Sequence, residues 1–284
     1  MLNRQMANPP STIEQVTYTS EIQGPKLLVL GAVHGNETCG PIAIRRVIVE
    51  FQSGALRLER GQVTFVPVCN PEAARLGVRF VERNLNRFLV PMERPDTYEA
   101  RLGNILCPLL ERCDVLLDIH SYTAGDVPYV SVGRPDHAAE RAFCEALGVE
   151  NMSTGWEDAH KAAGRKPPDN PDEPTGTTEY ARRFGAIAAT LECGQHKAVE
   201  APEVAYNAIR NTLKHLALVA DSLPQPPARR LVRMQTVIYK EREGKFAKPW
   251  KNFDAVSSGE VIGIYSDGET VTARHDGFII MPDE

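Results

Sequence analysis

Short apolar runs alternate with stretches of helical spacing through most of the chain. Runs at residues 26–31 (KLLVLG), 62–68 (QVTFVPV), 115–120 (VLLDIH), 129–132 and 186–191 predict strands. Apolar residues at helical intervals predict helices over 43–51, 98–110, 138–147 and 202–221. Strands that are apolar throughout, rather than on alternate residues, belong to a sheet buried on both faces. Their alternation with helices predicts an α/β architecture. Residues 153–178 break the rhythm: the stretch is polar and carries Pro167, Pro168, Pro171 and Pro174. It is expected to be a loop flanking the site.

The pattern changes again near the C-terminus. Residues 223–228 (LPQPPA) cannot continue a helix and read as a linker. Beyond them, runs at 231–239, 261–265, 270–273 and 277–281 are separated by Ser-Gly and Asp-Gly steps, which predict short strands and turns. The expected division is an α/β domain over residues 1–224 and a small all-β domain over residues 225–284.

Composition narrows the class. The chain has 284 residues, with 32 Lys plus Arg against 37 Asp plus Glu, a net charge of −5. That balance argues against a nucleic-acid partner, which needs a basic footprint. Six cysteines occur with no C-x-x-C spacing, so neither a zinc ribbon nor a thioredoxin motif is present. Most lie among apolar neighbours, as free thiols do in a reducing compartment. The first fifteen residues lack the apolar core of a signal peptide, and no run is long enough to span a membrane. A soluble cytoplasmic protein without a membrane partner is expected. Whether it forms a homo-oligomer is left open.

Candidate chemistry lies at the ends of the predicted strands. His34 and Glu37 follow the first strand in GAVHGNE; a nitrogen and a carboxylate three residues apart on a turn suit zinc, or a hydrogen-bonded turn. Asp118 and His120 close the strand VLLDIH on one face, where Asp118 could orient a site residue. A histidine satisfied within the core is the alternative. Glu192 ends the run 186–191, and a carboxylate there is costly unless paired, bound to metal or open to a cleft. In open α/β sheets, ligand crevices form beyond the carboxyl ends of strands. Two histidines and one glutamate make a catalytic zinc set, and a further glutamate is the base such a site needs. Residues 79–88 (RFVERNLNRF) offer Arg and Asn donors suited to a carboxylate or an oxyanion, or else a solvated basic loop. Cys193 adjoins Glu192, but successive strand residues face opposite ways, so Cys193 reads as structural. His160 reads as a surface residue and Tyr239 as a core one.

Taken in order, GAVHGNE, VCNPEA, VRFVERNLNR, DIH and TLECG resemble the succinylglutamate desuccinylase/aspartoacylase family, within the wider zinc carboxypeptidase fold. The resemblance runs from about Lys26 to Gly194, and the small β module is similar to the family's C-terminal domain. It implies a mixed, mainly parallel twisted sheet flanked by helices. It implies one Zn2+ per chain held by His34, Glu37 and His120, with Glu192 as general acid and base. It further implies Arg79 polarising the scissile carbonyl, Asn86 and Arg87 gripping a substrate carboxylate, and Arg182 as another substrate contact. The expected substrate is a small anionic N-acyl amino acid, cleaved at its amide. A metallocarboxypeptidase or peptide amidase on the same fold, and a non-catalytic zinc-binding protein, are the alternatives. Many members have Asp-Leu-Asn-Arg where this chain has Asn84-Leu-Asn86-Arg87, a lost charge expected to alter how Arg79 or Arg87 is held. No counterpart is found for the substrate-binding tyrosine in the longer tail of aspartoacylase-like members, which argues against N-acetylaspartate as substrate.

Overall fold

A computed structural model describes residues 12–164, 175–222 and 229–283. The expected linker at 223–228 and the proline-rich centre of the 153–178 stretch lie outside the described residues.

Eight strands form the main sheet: β1 (Val16–Thr19), β2 (Lys26–Gly31), β3 (Gln62–Val66), β4 (Val115–Tyr122), β5 (Tyr129–Val132), β6 (Asn151–Thr154), β7 (Ile187–Gln195) and β8 (Arg230–Arg233). Their order across the sheet is β1-β3-β2-β4-β7-β5-β6-β8. The four central strands β3, β2, β4 and β7 are mutually parallel. β1 runs antiparallel to β3, and β5 antiparallel to β7. The sheet is therefore mixed and mainly parallel, as expected.

Both faces are covered. On one lie α1 (Cys39–Ser53), α4 (Ala138–Ala146) and α7 (Ala201–His215). Ala43, Ile44 and Val47 of α1 and Ala205, Ala208 and Ile209 of α7 bury a stripe against Val29, Leu117, Ile119 and Leu191. On the other lie α3 (Tyr98–Leu110) and α6 (Thr177–Arg183), with Leu102, Leu106 and Tyr180 against Leu28, Leu30, Leu116 and Ala188. The helices stop for local reasons. Gly54 ends α1 in the left-handed conformation, at φ 77°. The Thr97 hydroxyl starts α3 by accepting from the Ala100 N–H at 3.2 Å.

The stretch expected to be a loop at 153–178 contains more structure than its composition suggested. It holds the end of β6, then α5 (Trp156–Ala162), and the start of α6. Strand β6 has the sequence NMST, too short and polar to read as a buried strand, yet its residues are all buried between β5 and β8. The run expected over 231–239 is extended only at Arg230–Arg233, and it joins the main sheet beside β6 instead of the small module.

The remaining strands are β9 (Gly244–Phe246), β10 (Ala255–Val256), β11 (Val261–Tyr265), β12 (Thr270–Thr272) and β13 (Gly277–Phe278). They make a three-stranded and a two-stranded antiparallel sheet around Trp250, Val256, Ile262 and Ala273. This module rests on the main sheet through Phe253 and Met281. Phe253 stands edge-on to Tyr129, with ring centroids 5.6 Å apart, and the Tyr129 hydroxyl donates to Met281 Sδ at 2.9 Å.

Candidate metal centre

The site sits where the parallel strands end. His34 and Glu37 lie on the turn between β2 and α1, closed by the Glu37 N–H donating to the His34 carbonyl at 3.2 Å. Gly35 is required here: a Cβ on it would stand 2.1 Å from the Ala73 carbonyl carbon of α2 (Pro71–Leu76). His120 and Glu192 are direct register partners on β4 and β7. Asp118 shares the face of His120 by strand alternation. These polar residues take over, at the carboxyl end, the face that carries Leu28, Leu116 and Ala188 lower down.

Glu37 is the hub. Its Oε1 is 2.8 Å from His34 Nδ1 and its Oε2 is 2.8 Å from His120 Nδ1. Ligand atoms of His34, Glu37 and His120 all lie within 4.8 Å of one another, and all three residues are buried. The group can hold one metal ion, and the proton count favours this. The Asn86 N–H donates to Asn84 Oδ1 at 3.0 Å, which fixes that atom as an acceptor. His34 Nε2, 3.2 Å from the same oxygen, must then carry the proton. Burial pushes the His34 imidazole down to about 4, so near neutrality its Nδ1 is a bare lone pair facing a carboxylate oxygen. Two such acceptors 2.8 Å apart repel unless a proton or a metal ion lies between them. His120 also turns Nδ1 to Glu37, but its Nε2 lies 2.9 Å from Asp118 Oδ2, so each of its ring nitrogens faces a carboxylate. Burial opposes its charge, but Asp118 and Glu37 together hold it well above the usual imidazole range. Burial alone would raise Glu37; the two imidazoles outweigh it and hold the carboxyl well below its usual range.

Glu192 is shielded differently. Among the described residues its Oε2 has no hydrogen-bond partner, and burial raises the carboxyl from 4.5 to about 7. Desolvation is the leading cause, helped by Glu37 and Asp118 and opposed by His120 and Arg79. Arg79 reaches the group from the loop after α2, with Nη1 3.4 Å from Glu37 Oε1. The Asn86 side-chain oxygen accepts from the Thr177 N–H at 2.9 Å, and Arg87 Nη1 donates to the Asn86 carbonyl at 2.7 Å. Arg182 does not join the group. It donates to the buried Glu140 carboxylate at 3.2 Å and to the Ala188 carbonyl at 2.9 Å. Ala188 is four residues before Glu192 on β7, about 13 Å away at the rise of a strand. Cys193 lies on the opposite face from Glu192, among Ile119, Cys39 and Ala201, as alternation predicted.

Asn84, expected through its lost charge to alter how Arg79 or Arg87 is held, has its Oδ1 3.2 Å from His34 Nε2. Several other residues were not singled out by the sequence. The Thr177 hydroxyl donates to Asp118 Oδ2. Ser121 Oγ lies 2.8 Å from His196 Nδ1, and the Ser121 N–H donates to Glu37 at 3.2 Å. Glu99, buried in the first turn of α3, accepts from the backbone N–H groups of Val81, Glu82 and Arg83 and so shapes the loop between Arg79 and Asn84. His160, expected at the surface, packs against Trp156 with ring centroids 4.6 Å apart, and its Nδ1 lies 2.6 Å from the Tyr239 hydroxyl.

Comparison with known proteins bears on the fold and the family. Residues 23–219 match the succinylglutamate desuccinylase/aspartoacylase catalytic domain. A succinylglutamate desuccinylase from Pseudomonas aeruginosa is 28% identical over 227 residues, covering 73% of this chain and 62% of that protein. A probable aspartoacylase from Prochlorococcus marinus is 31% identical over 104 residues, covering 35% of this chain and 34% of that protein. The chain thus spans between about a third and three fifths of these curated relatives' length. Among solved structures, a succinylglutamate desuccinylase/aspartoacylase from Rhodobacter sphaeroides superposes with a TM-score of 0.76 at 21% identity, covering 95% of this chain and 85% of that one. The ectoine utilization protein EutE from Ruegeria pomeroyi superposes with a TM-score of 0.70 at 20% identity, covering 94% and 82%. These structures share the fold. The ordered motifs, the sheet and the match over residues 23–219 lead to one conclusion: the chain belongs to the succinylglutamate desuccinylase/aspartoacylase family.

Proposed function

We propose that this protein is a zinc-dependent amidohydrolase that removes the acyl group from an N-acyl amino acid or a similar small carboxylate. The observation that carries the reading is the convergence of His34 Nδ1, both Glu37 oxygens and His120 Nδ1, with the unpartnered Glu192 oxygen at the adjoining register position. His34, Glu37 and His120 would hold the ion, which when bound supplies Lewis-acid polarisation and a water of lowered pKa. Glu192 takes a proton from the attacking water and hands it to the leaving amine. Burial raises this carboxyl, which strengthens it as the base that takes the water's proton. Arg79, already against Glu37, steadies the oxygen on which negative charge develops. Asn86 and Arg87 hold the substrate carboxylate. Arg182 acts in structure, tying α6 to Glu140 and β7.

A small substrate is favoured over a peptide because the C-terminal module packs on Tyr129, the register partner of Glu192, and so crowds that end of the sheet. Six free, buried cysteines support a reducing compartment such as the cytoplasm. Among the described residues, no helix is long and apolar enough to cross a membrane. The test is Glu192→Gln: it should keep one zinc per chain and lose nearly all turnover of N-acyl amino acids. Full activity in that variant removes Glu192 from the base role.

A further inference from the structure

The two histidines of the centre present the same atom inward and unlike partners outward. His120 Nε2 lies 2.9 Å from a carboxylate, Asp118, and His34 Nε2 lies 3.2 Å from a carboxamide, Asn84. Both partners are buried, at 0% and 1% exposure, so each acts at close to full electrostatic strength on its ring. A carboxylate behind an imidazole draws on the Nε2 proton and makes Nδ1 a stronger donor to a metal. A carboxamide fixes the same tautomer without adding charge. The orientation of Asn84 is not free to change, because the Asn86 N–H would meet an NH2 group if the side chain turned over.

We propose that Asn84 is the positioning residue that sets metal affinity at this centre. It locks His34 with Nδ1 inward, and by being neutral it leaves His34 the weaker donor of the pair. The centre therefore holds zinc less tightly, and polarises a bound carbonyl more strongly, than one with carboxylates behind both histidines. This inference rests on the zinc reading above.

The test is equilibrium competition for zinc against a chromophoric chelator, with wild type, Asn84→Asp, Asp118→Asn and the double variant. The visible spectrum of each Co2+-loaded form reports the ligand set. Removing an outer carboxylate or amide typically changes affinity about 10–100-fold. Asn84→Asp should tighten zinc by about tenfold or more, and Asp118→Asn should weaken it by a similar factor. The double variant, with the charge moved from one histidine to the other, should return to within a few-fold of wild type. An Asn84→Asp protein that binds zinc no more tightly than wild type, while Asp118→Asn weakens it, overturns the proposal. Far-UV circular dichroism of the metal-free forms checks folding. If Asn84→Asp does not fold, Asn84→Ala carries the test: weaker zinc binding by about tenfold is expected, and unchanged binding overturns the proposal. Failure of the underlying reading looks different: wild type would then bind no stoichiometric zinc, or His120→Ala would bind it as well as wild type.

Discussion

Glu99 offers a sharp test of how the site is held. Its side chain is 2% exposed and accepts four hydrogen bonds. Oε1 takes the Val81 N–H at 2.8 Å and the Asn70 amide at 3.1 Å; Oε2 takes the Glu82 N–H at 3.2 Å and the Arg83 N–H at 3.1 Å. Both oxygens must therefore be acceptors. Glu99→Gln keeps the volume but turns one end into a donor that faces two donors. Two bonds to a charged group are lost, each worth about 1.5–3 kcal/mol, so a loss of about 3–6 kcal/mol of stability is expected. The usual view of Glu→Gln as a mild change predicts far less. Because the loop carries Arg79 at one end and Asn84, Asn86 and Arg87 at the other, a shift of about 1 Å should also cost kcat/KM on the order of 100-fold. Urea unfolding of the Gln and Ala variants, with kcat/KM measured on protein shown to be folded, reads both effects. A Gln variant within about 1 kcal/mol of wild type, or one with unaltered kcat/KM, refutes the reasoning, since the structure leaves no way to satisfy all four donors.

Other consequences are open to direct measurement. Arg182→Ala should lower stability by roughly 2–4 kcal/mol by stripping a partner from buried Glu140, while Arg134 stays to soften the loss; KM should hold, and a KM raised with stability intact would make Arg182 a substrate contact. Gly35→Ala should cost more than about 2 kcal/mol and weaken zinc binding, because the turn must move to clear α2; a melting temperature equal to wild type would contradict the close approach. In chelated protein the folded state holds the Glu192 proton better than the unfolded chain, whose carboxyl titrates near 4.5. That contribution is full below about 4.5 and is lost as pH rises through about 7, so the difference in melting temperature between wild type and Glu192→Gln should fall across that window. A flat difference would mean the carboxyl is not raised by burial.

The apolar runs made the central sheet legible, because a parallel strand buried on both faces has to be apolar at every position. Lys26–Gly31, Tyr129–Val132 and Val261–Tyr265 appear with the boundaries the pattern predicts. β6 and α5 were hidden because NMST is polar and α5 is short, and both are held by their neighbours more than by their own composition. Position at strand ends brought out His34, Glu37, His120 and Glu192, since a charged residue closing an apolar run asks for an explanation. Glu99 gave no comparable signal, and Asn84 stood out only as a lost charge, with nothing to point it at His34. Each is one polar residue among many on a loop or a first helical turn, and its importance comes from burial and from which donors meet it. Arg182 misled for the complementary reason: sequence distance from Glu192 placed it by analogy, while Glu140, forty-two residues away in the chain, holds it at the far end of β7.

In the proposed function His34, Glu37 and His120 hold a zinc ion used to cleave a small N-acyl amino acid. The most direct test is release of free amino acid from a panel of N-acetyl, N-succinyl and longer N-acyl amino acids, run beside short peptides, with zinc-loaded protein and with the same protein stripped by chelator. At least one N-acyl amino acid should be hydrolysed, stripping should abolish the activity and added zinc should restore it. Hydrolysis of none of the panel by protein carrying one zinc per chain, or hydrolysis unchanged after the metal is removed, would contradict it.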